Sequence, residues 1–310
     1  MQTIYAARLA KSADGDPIAW RRERWQTPDA DFVDVDWMGE HAATEKPLLV
    51  LFHGLEGSSS SHYAQAFAVQ ARVRGWRIAV PHFRGCSGDI NLAPRAYHSG
   101  DVGEIGWMLN QFRLRHTGPM FAAGVSLGGN ALMRWAGEVQ NAATQLLHGI
   151  ACISSPLDLT ASGHAIDSGL NRRLYTRMFL KTMKPRALQK LQQHPGLFDR
   201  EALMAASTLY AFDNVFTAPV HGFLNTDDYW ARASAKPVMR HIQVPALVLN
   251  ARNDPFVPAW SLPQQTEVAA CVTLWQPSDG GHVGFPDGNF PAHVHAMPCA
   301  VVDWLQSHLN

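Results

Sequence analysis

No stretch of this 310-residue chain stays apolar for the about 20 residues a membrane helix needs, so no bilayer span is expected. Charge is scarce and balanced. The 26 Lys+Arg residues match 26 Asp+Glu, and charged side chains make up 17% of the chain. No Lys/Arg cluster reads as a nucleic-acid patch, and no nucleic-acid partner is expected. Cysteine is sparse too: Cys86, Cys152, Cys271 and Cys299 form no CxxC pair. This excludes a disulfide framework and reads as reduced, packed thiols. Met1 to Ala19 mixes Arg8, Lys11, Asp14 and Asp16 with apolar residues and lacks the apolar core of a signal peptide. A cytoplasmic protein is expected, with peripheral lipid contact left open. Internal repeats and low-complexity segments are missing. Fifteen histidines are present without an HExxH or a Cys/His finger spacing, and the nearest pair, His293 and His295, lacks further ligands. No metal or organic cofactor is implied, and nothing sets an oligomeric state.

What is present suits a sizeable core: 46% of the residues are hydrophobic, enough for one large α/β domain or two small ones. Ala19 to Trp25 and Phe32 to Trp37 alternate with period two around Thr27-Pro28-Asp29, which predicts two half-exposed strands paired antiparallel at a sheet edge. Leu48 to Phe52 is unbroken apolar sequence, as in a strand buried on both faces. Helical patterns at 62–74, 100–115 and 127–140 then alternate with strand patterns at 76–81, 119–125 and 147–154. In the second helix Ile105, Met108, Leu109 and Phe112 fall at i, i+3, i+4 and i+7. This rhythm of strand and helix predicts βαβ units and a mostly parallel sheet.

The rhythm breaks after Ser155-Pro156. From 157 to 240 the pattern is helical, with Leu174, Met178, Phe179 and Thr182 on one face and Leu188 and Leu191 continuing it beyond Pro185. Strand character returns at 244–249 and 271–275, and a last amphipathic helix is predicted over 293–308. The expected organisation is an α/β core of residues 1–156 and 241–310, interrupted by a helical cap at 157–240 lying over the carboxyl ends of the strands. Tyr175, Phe179 and Trp230 of the cap either shape a substrate pocket or form the cap's own core.

Gly124-Val125-Ser126-Leu127-Gly128 stands between a predicted strand and a predicted helix. GxSxG alone is weak, but at a strand–helix turn it specifies a strained bend that lifts the serine hydroxyl above the sheet, with glycines where strand and helix approach. The helix N-terminus brings free N–H groups beside a developing oxyanion. A serine needs a histidine to accept its proton, and that imidazole needs a carboxylate behind it. Asp254, at the end of the 244–250 strand, and His282, in the Gly280-Gly281 loop after the 271–276 strand, follow Ser126 in the required order. Asp228 is the nearest rival acid, but it precedes that strand. His293, His295 and His308 are assigned to the final helix, as surface residues. The loop His53-Gly54-Leu55-Glu56-Gly57 follows the first buried strand and offers the Leu55 N–H as an oxyanion donor alongside that of Leu127. His53 is expected to hold that loop's shape.

These segments, with Phe83-Arg84-Gly85-Cys86-Ser87-Gly88, Arg95-Ala96-Tyr97-His98-Ser99-Gly100, Phe212-Asp213-Asn214, Thr217-Ala218-Pro219, His221-Gly222-Phe223 and Gly280 to Phe285, form a pattern running from about residue 20 to 290. The chain resembles the YheT/Emb8-like branch of the α/β-hydrolase superfamily. The resemblance implies an α/β-hydrolase fold and an esterase or lipase-like activity on short- or medium-chain acyl esters, with Ser126, Asp254 and His282 as the triad. Eukaryotic members of that branch include acylglycerol lipases, phospholipases and enzymes of fatty acid ethyl esters. An HxxxxD element linked to acyltransfer matches His282 to Asp287 and also His194 to Asp199. Unlike for many eukaryotic relatives, no N-terminal membrane anchor is expected here. Acyltransfer to an alcohol, or cleavage of a thioester or amide, would use the same acyl-enzyme. A non-catalytic scaffold binding a partner is the remaining reading, although all three triad members are present.

Overall fold

The structure is a computed structural model and describes residues 18–40, 44–288 and 293–309. Eight strands form one sheet: β1 (Arg21–Gln26), β2 (Phe32–Met38), β3 (Leu48–Phe52), β4 (Arg77–Pro81), β5 (Met120–Val125), β6 (Gly149–Ile153), β7 (Ala246–Leu249) and β8 (Val272–Trp275). Their order across the sheet is β1-β2-β4-β3-β5-β6-β7-β8. From β4 to β8 every pairing is parallel; β1 and β2 add the antiparallel edge expected from the alternating sequence.

The two edge strands are not equally exposed. β1 is mostly solvated, whereas β2 is buried along its whole length. The cause is ionic. Arg22 stands opposite Asp36 and Arg24 opposite Asp34 in the register. Both guanidinium groups grip the facing carboxylates bidentately, at 2.7–2.8 Å. The charges on β2 that read as a solvent face are therefore covered by their partners on β1.

Helices cover both faces of the sheet. The period-two alternation of β3 sends Leu48, Val50 and Phe52 to one core and Leu49 and Leu51 to the other. The first core is closed by α2 (Val102–Arg115) and α3 (Leu127–Val139), through Ile105, Met108, Leu109 and Phe112 and through Leu132 and Trp135. The second is closed by α1 (His62–Val73) and α7 (Ala296–Gln306), through Phe67, Ala71, Val301 and Leu305.

Between β6 and β7 the described chain is helical: α4 (Leu159–Ile166), α5 (Arg177–Gln193), α6 (Thr226–Ala233) and several shorter turns. Two features differ from the sequence reading. Leu174, Met178 and Thr182 do not face inward; Leu174 and Met178 are 54% and 47% exposed. Thr176, Leu180, Ala187 and Lys190 are the buried set. A π-helical turn at Arg172–Thr176 precedes α5, and its wider turn rotates the following helix relative to a uniform α-helical count. At the other end, α7 begins at Ala296, so His293 and His295 precede it and His308 follows it. His293 instead pairs with Asp287 through an antiparallel bridge.

Candidate active site

Ser126 occupies the bend between β5 and α3 with φ 52° and ψ −119°, a backbone conformation that L residues adopt only under constraint. The neighbouring glycines show what imposes it. A Cβ on Gly124 would lie 2.5 Å from the Gly128 carbonyl oxygen, and one on Gly128 would lie 2.5 Å from that of His53. Strand, loop and helix therefore close on one another only with hydrogen at these positions.

The structure brings the three sequence-predicted side chains together. The Ser126 Oγ lies 3.1 Å from His282 Nε2, and His282 Nδ1 lies 2.9 Å from Asp254 Oδ2. A carboxylate only accepts, so Nδ1 carries the proton and Nε2 is left to accept from the hydroxyl. Asp254 is held by the Phe256 and Val257 N–H groups, which donate to its Oδ1 at 2.8 and 3.3 Å, and its side chain is fully buried. The Phe256 ring covers the imidazole at 4.4 Å between centroids. Asp228 sits in the first turn of α6, paired with Arg232. The Asp287 main chain bridges to His293 and its Oδ1 accepts the Gly288 N–H, while the carboxylate facing His282 Nδ1 is that of Asp254.

Sequence reasoning missed the residues that fix the His282 loop. The Val283 N–H donates to Ser154 Oγ at 3.0 Å, and the Gly281 N–H to Asn253 Oδ1 at 2.8 Å. Ser154 itself has φ 51° at the end of β6. Its signal in the sequence was only a pair of serines following a buried strand.

The loop after β3 is held from both sides. Tyr63 accepts the Gly54 N–H at 2.9 Å and Tyr97 accepts the Glu56 N–H at 3.1 Å. Between them, the Leu55 N–H has no protein acceptor among the described residues; neither has that of Leu127, the first residue of α3. Both leucines line the same cavity as Ser126. His53 spans the loop's base, donating from Nδ1 to the Gly54 carbonyl at 2.8 Å and accepting the Phe83 N–H at Nε2 at 3.0 Å. Complete burial pushes its pKa down to about 3, so it remains neutral and structural.

A cavity open to solvent lies above Ser126. The sheet side contributes Leu55, Ser126, Phe256 and His282, and the helical segment contributes Ile166, Phe179, Met183, Leu209, Phe212 and Phe216. Trp230 also lines it, while Tyr175 packs against Phe256 at 4.5 Å. Two acids line the cavity, Glu56 and Asp213, and burial pushes the Asp213 carboxyl up to about 6 against the pull of donors from Thr217 and Trp230.

A parallel sheet flanked by helices, with a strained serine at the end of a central strand and a histidine–carboxylate pair beside it, defines the α/β-hydrolase class. The chain belongs to the alpha/beta hydrolase fold family, whose model matches residues 47–289, and within it to the YheT/Emb8-like proteins. It is 35% identical over 293 residues to the protein named "Putative esterase YheT" of Escherichia coli (strain K12), covering 93% of this chain and 85% of that one. It is 29% identical over 303 residues to human phospholipase ABHD3, covering 94% and 73% of the two chains. The fold matches that of Est1E from Butyrivibrio proteoclasticus, solved with ferulic acid, at a TM-score of 0.58 and 14% identity, over 92% of this chain and 98% of that one. The chain is a carboxylic ester hydrolase.

Proposed function

We propose that Ser126 is the nucleophile, His282 the general base and acid, and Asp254 the carboxylate that orients it, in hydrolysis of short- to medium-chain acyl esters or acylglycerols. One observation carries the reading: His282 stands within hydrogen-bond distance of Ser126 Oγ through one nitrogen and of Asp254 through the other. As Oγ attacks the ester carbonyl, its proton passes to Nε2, and the buried carboxylate stabilises the imidazolium. The carbonyl oxygen, now anionic, takes the Leu55 and Leu127 N–H groups. Donors of this kind are worth about 3 kcal/mol each in the transition state. Collapse expels the alcohol with the proton from Nε2. Water then attacks the acyl-serine, giving its proton to the same nitrogen, and the acid leaves as Oγ–H is restored.

The acyl chain lies against Phe179, Met183 and Phe216 in this reading, and residues 157–240 act as a cap that sets its length. The phospholipase name of one relative favours glycerol esters as a source of such chains. A reducing, cytoplasmic setting suits four cysteines that are all free thiols. Replacement Ser126→Ala should abolish p-nitrophenyl ester turnover while leaving the melting temperature near that of the parent. Full turnover by this variant would refute the assignment. Added alcohol separates hydrolysis from transfer: free acid alone is the expected product, and a new ester accumulating in its place would assign the enzyme to acyltransfer.

A further inference from the structure

The charge of this neutral chain is not evenly spread. Between Asp167 and Asp199 no acidic residue occurs, while seven cations do: Arg172, Arg173, Arg177, Lys181, Lys184, Arg186 and Lys190. Among the described residues only Arg186 of these pairs with a carboxylate, that of Glu56 at 3.2 Å, and Lys190 is buried against backbone carbonyls. Arg173, Arg177 and Lys181 are exposed on the helical run that ends in α5. Interleaved with them stand Leu170, Leu174 and Met178, each four residues from the next and 73%, 54% and 47% exposed. Soluble proteins scatter single exposed apolar residues; a row of them flanked by unpaired cations on one helix face is the composition of a segment that lies in a lipid headgroup region.

The opposite face of the same run belongs to the active site. Phe179 and Met183 line the cavity, and Tyr175 packs on Phe256, which covers His282. One helix thus separates the acyl cavity from the apolar row.

We infer that the face formed by Leu170, Arg173, Leu174, Arg177, Met178 and Lys181 docks on a bilayer surface bearing anionic phospholipid, with the apolar side chains inserted and the cations among the headgroups. Unpaired cations select an anionic partner, and the apolar row needs one that can receive hydrocarbon; an anionic bilayer meets both demands. The docking is independent of which residue is the nucleophile, and its test uses Ser126→Ala so that lipid turnover does not interfere.

The full-length Ser126→Ala protein is sedimented with vesicles of phosphatidylcholine alone and of phosphatidylcholine mixed with phosphatidylglycerol. Binding is expected to the anionic vesicles only, and to be released by salt. Each cation near such a surface raises partitioning about fivefold, so Arg173→Gln/Arg177→Gln/Lys181→Gln should weaken it about 100-fold. Leu174→Ser/Met178→Ser should weaken it as well. In the otherwise native enzyme, that pair of substitutions should leave turnover of a soluble nitrophenyl acetate unchanged, which shows the fold intact. Absence of vesicle binding, binding indifferent to headgroup charge, or binding unmoved by both variants would overturn the inference. So would a concentration-dependent dimer dissolved by Leu174→Ser/Met178→Ser, which would give the face to a second copy of the chain.

Discussion

Replacing Asp254 by Asn tests the orientation of His282 with almost no change in shape. In the native site Asp254 Oδ1 accepts the Phe256 and Val257 N–H groups, and Oδ2 faces His282 Nδ1 at 2.9 Å. In Asp254→Asn the amide oxygen must keep the two backbone donors, because an NH₂ group there would meet N–H with N–H. The Nδ2 group then faces the imidazole and can only donate. His282 Nδ1 is forced to accept, its proton moves to Nε2, and that nitrogen turns a hydrogen toward Ser126 Oγ where it formerly accepted one. The base is lost while the geometry stays. A tautomer inversion of this kind costs about 10⁴ in kcat, or about 5 kcal/mol of transition-state stabilisation. Steady-state turnover of p-nitrophenyl butyrate, paired with thermal unfolding, reads both halves of the argument. The expected result is the full kinetic loss with little change in melting temperature. Asp228→Asn, in the first turn of α6, serves as the control and should keep the native rate. An Asp254→Asn enzyme that stays within about tenfold of native kcat would refute the reasoning, since this step alone is asked for most of that loss.

Further perturbations probe the surroundings. Tyr63→Phe strips the buried Gly54 N–H of its acceptor and should lower stability by about 1–3 kcal/mol. It should also reduce kcat by about tenfold, as the adjacent Leu55 N–H loses its alignment. Chemical denaturation and kinetics together decide the case, and lost stability with native kcat would confine Tyr63 to a structural role. Phe179→Ala enlarges the cavity wall and should move the kcat/KM optimum of a nitrophenyl ester series, acetate through palmitate, toward longer chains; an unmoved optimum would place the acyl chain elsewhere. Burial tends to raise the Asp31 carboxyl, but donors from Asn91, Leu92, Phe32 and Arg84 hold it at about 2, below its ordinary 3.8. Its stabilising contribution, about 2 kcal/mol, is therefore complete above the unfolded value and lost as pH falls from about 4 through about 2. Asp31→Asn should flatten the acid limb of the stability–pH curve in that window, and an unaltered limb would show that the carboxylate is not depressed.

Most of the sheet could be read from the sequence because buried parallel strands announce themselves as apolar runs, and β3, β5 and β7 have no competing pattern. The positions of Ser126 and Asp254 were legible for a related reason, since each follows such a run, whereas His282 follows the partly exposed edge strand β8 and was legible from its glycine loop and the chain order. β2 was misread as half exposed because Asp34 and Asp36 look solvated until Arg22 and Arg24 are placed opposite them, a relation that exists only across strands. Leu174, Met178 and Thr182, grouped by their four-residue spacing, are exposed, while Leu180 and Ala187, which carry no motif, are buried. The late histidines were assigned to a helix that starts three residues after His293. Tyr63, Tyr97, Asn253 and Ser154 were not singled out for their part in the site, because hydroxyl and amide groups that hold a loop leave no periodic or motif signal.

The most direct measurement is mass spectrometry of the protein after exposure to a fluorophosphonate, with peptide mapping of the adduct, in the native chain and in His282→Ala. A single adduct on Ser126, formed rapidly in the native chain and orders of magnitude more slowly without the imidazole, is the predicted result. Labelling of another residue, or equal labelling of Ser126 in both proteins, would contradict the account.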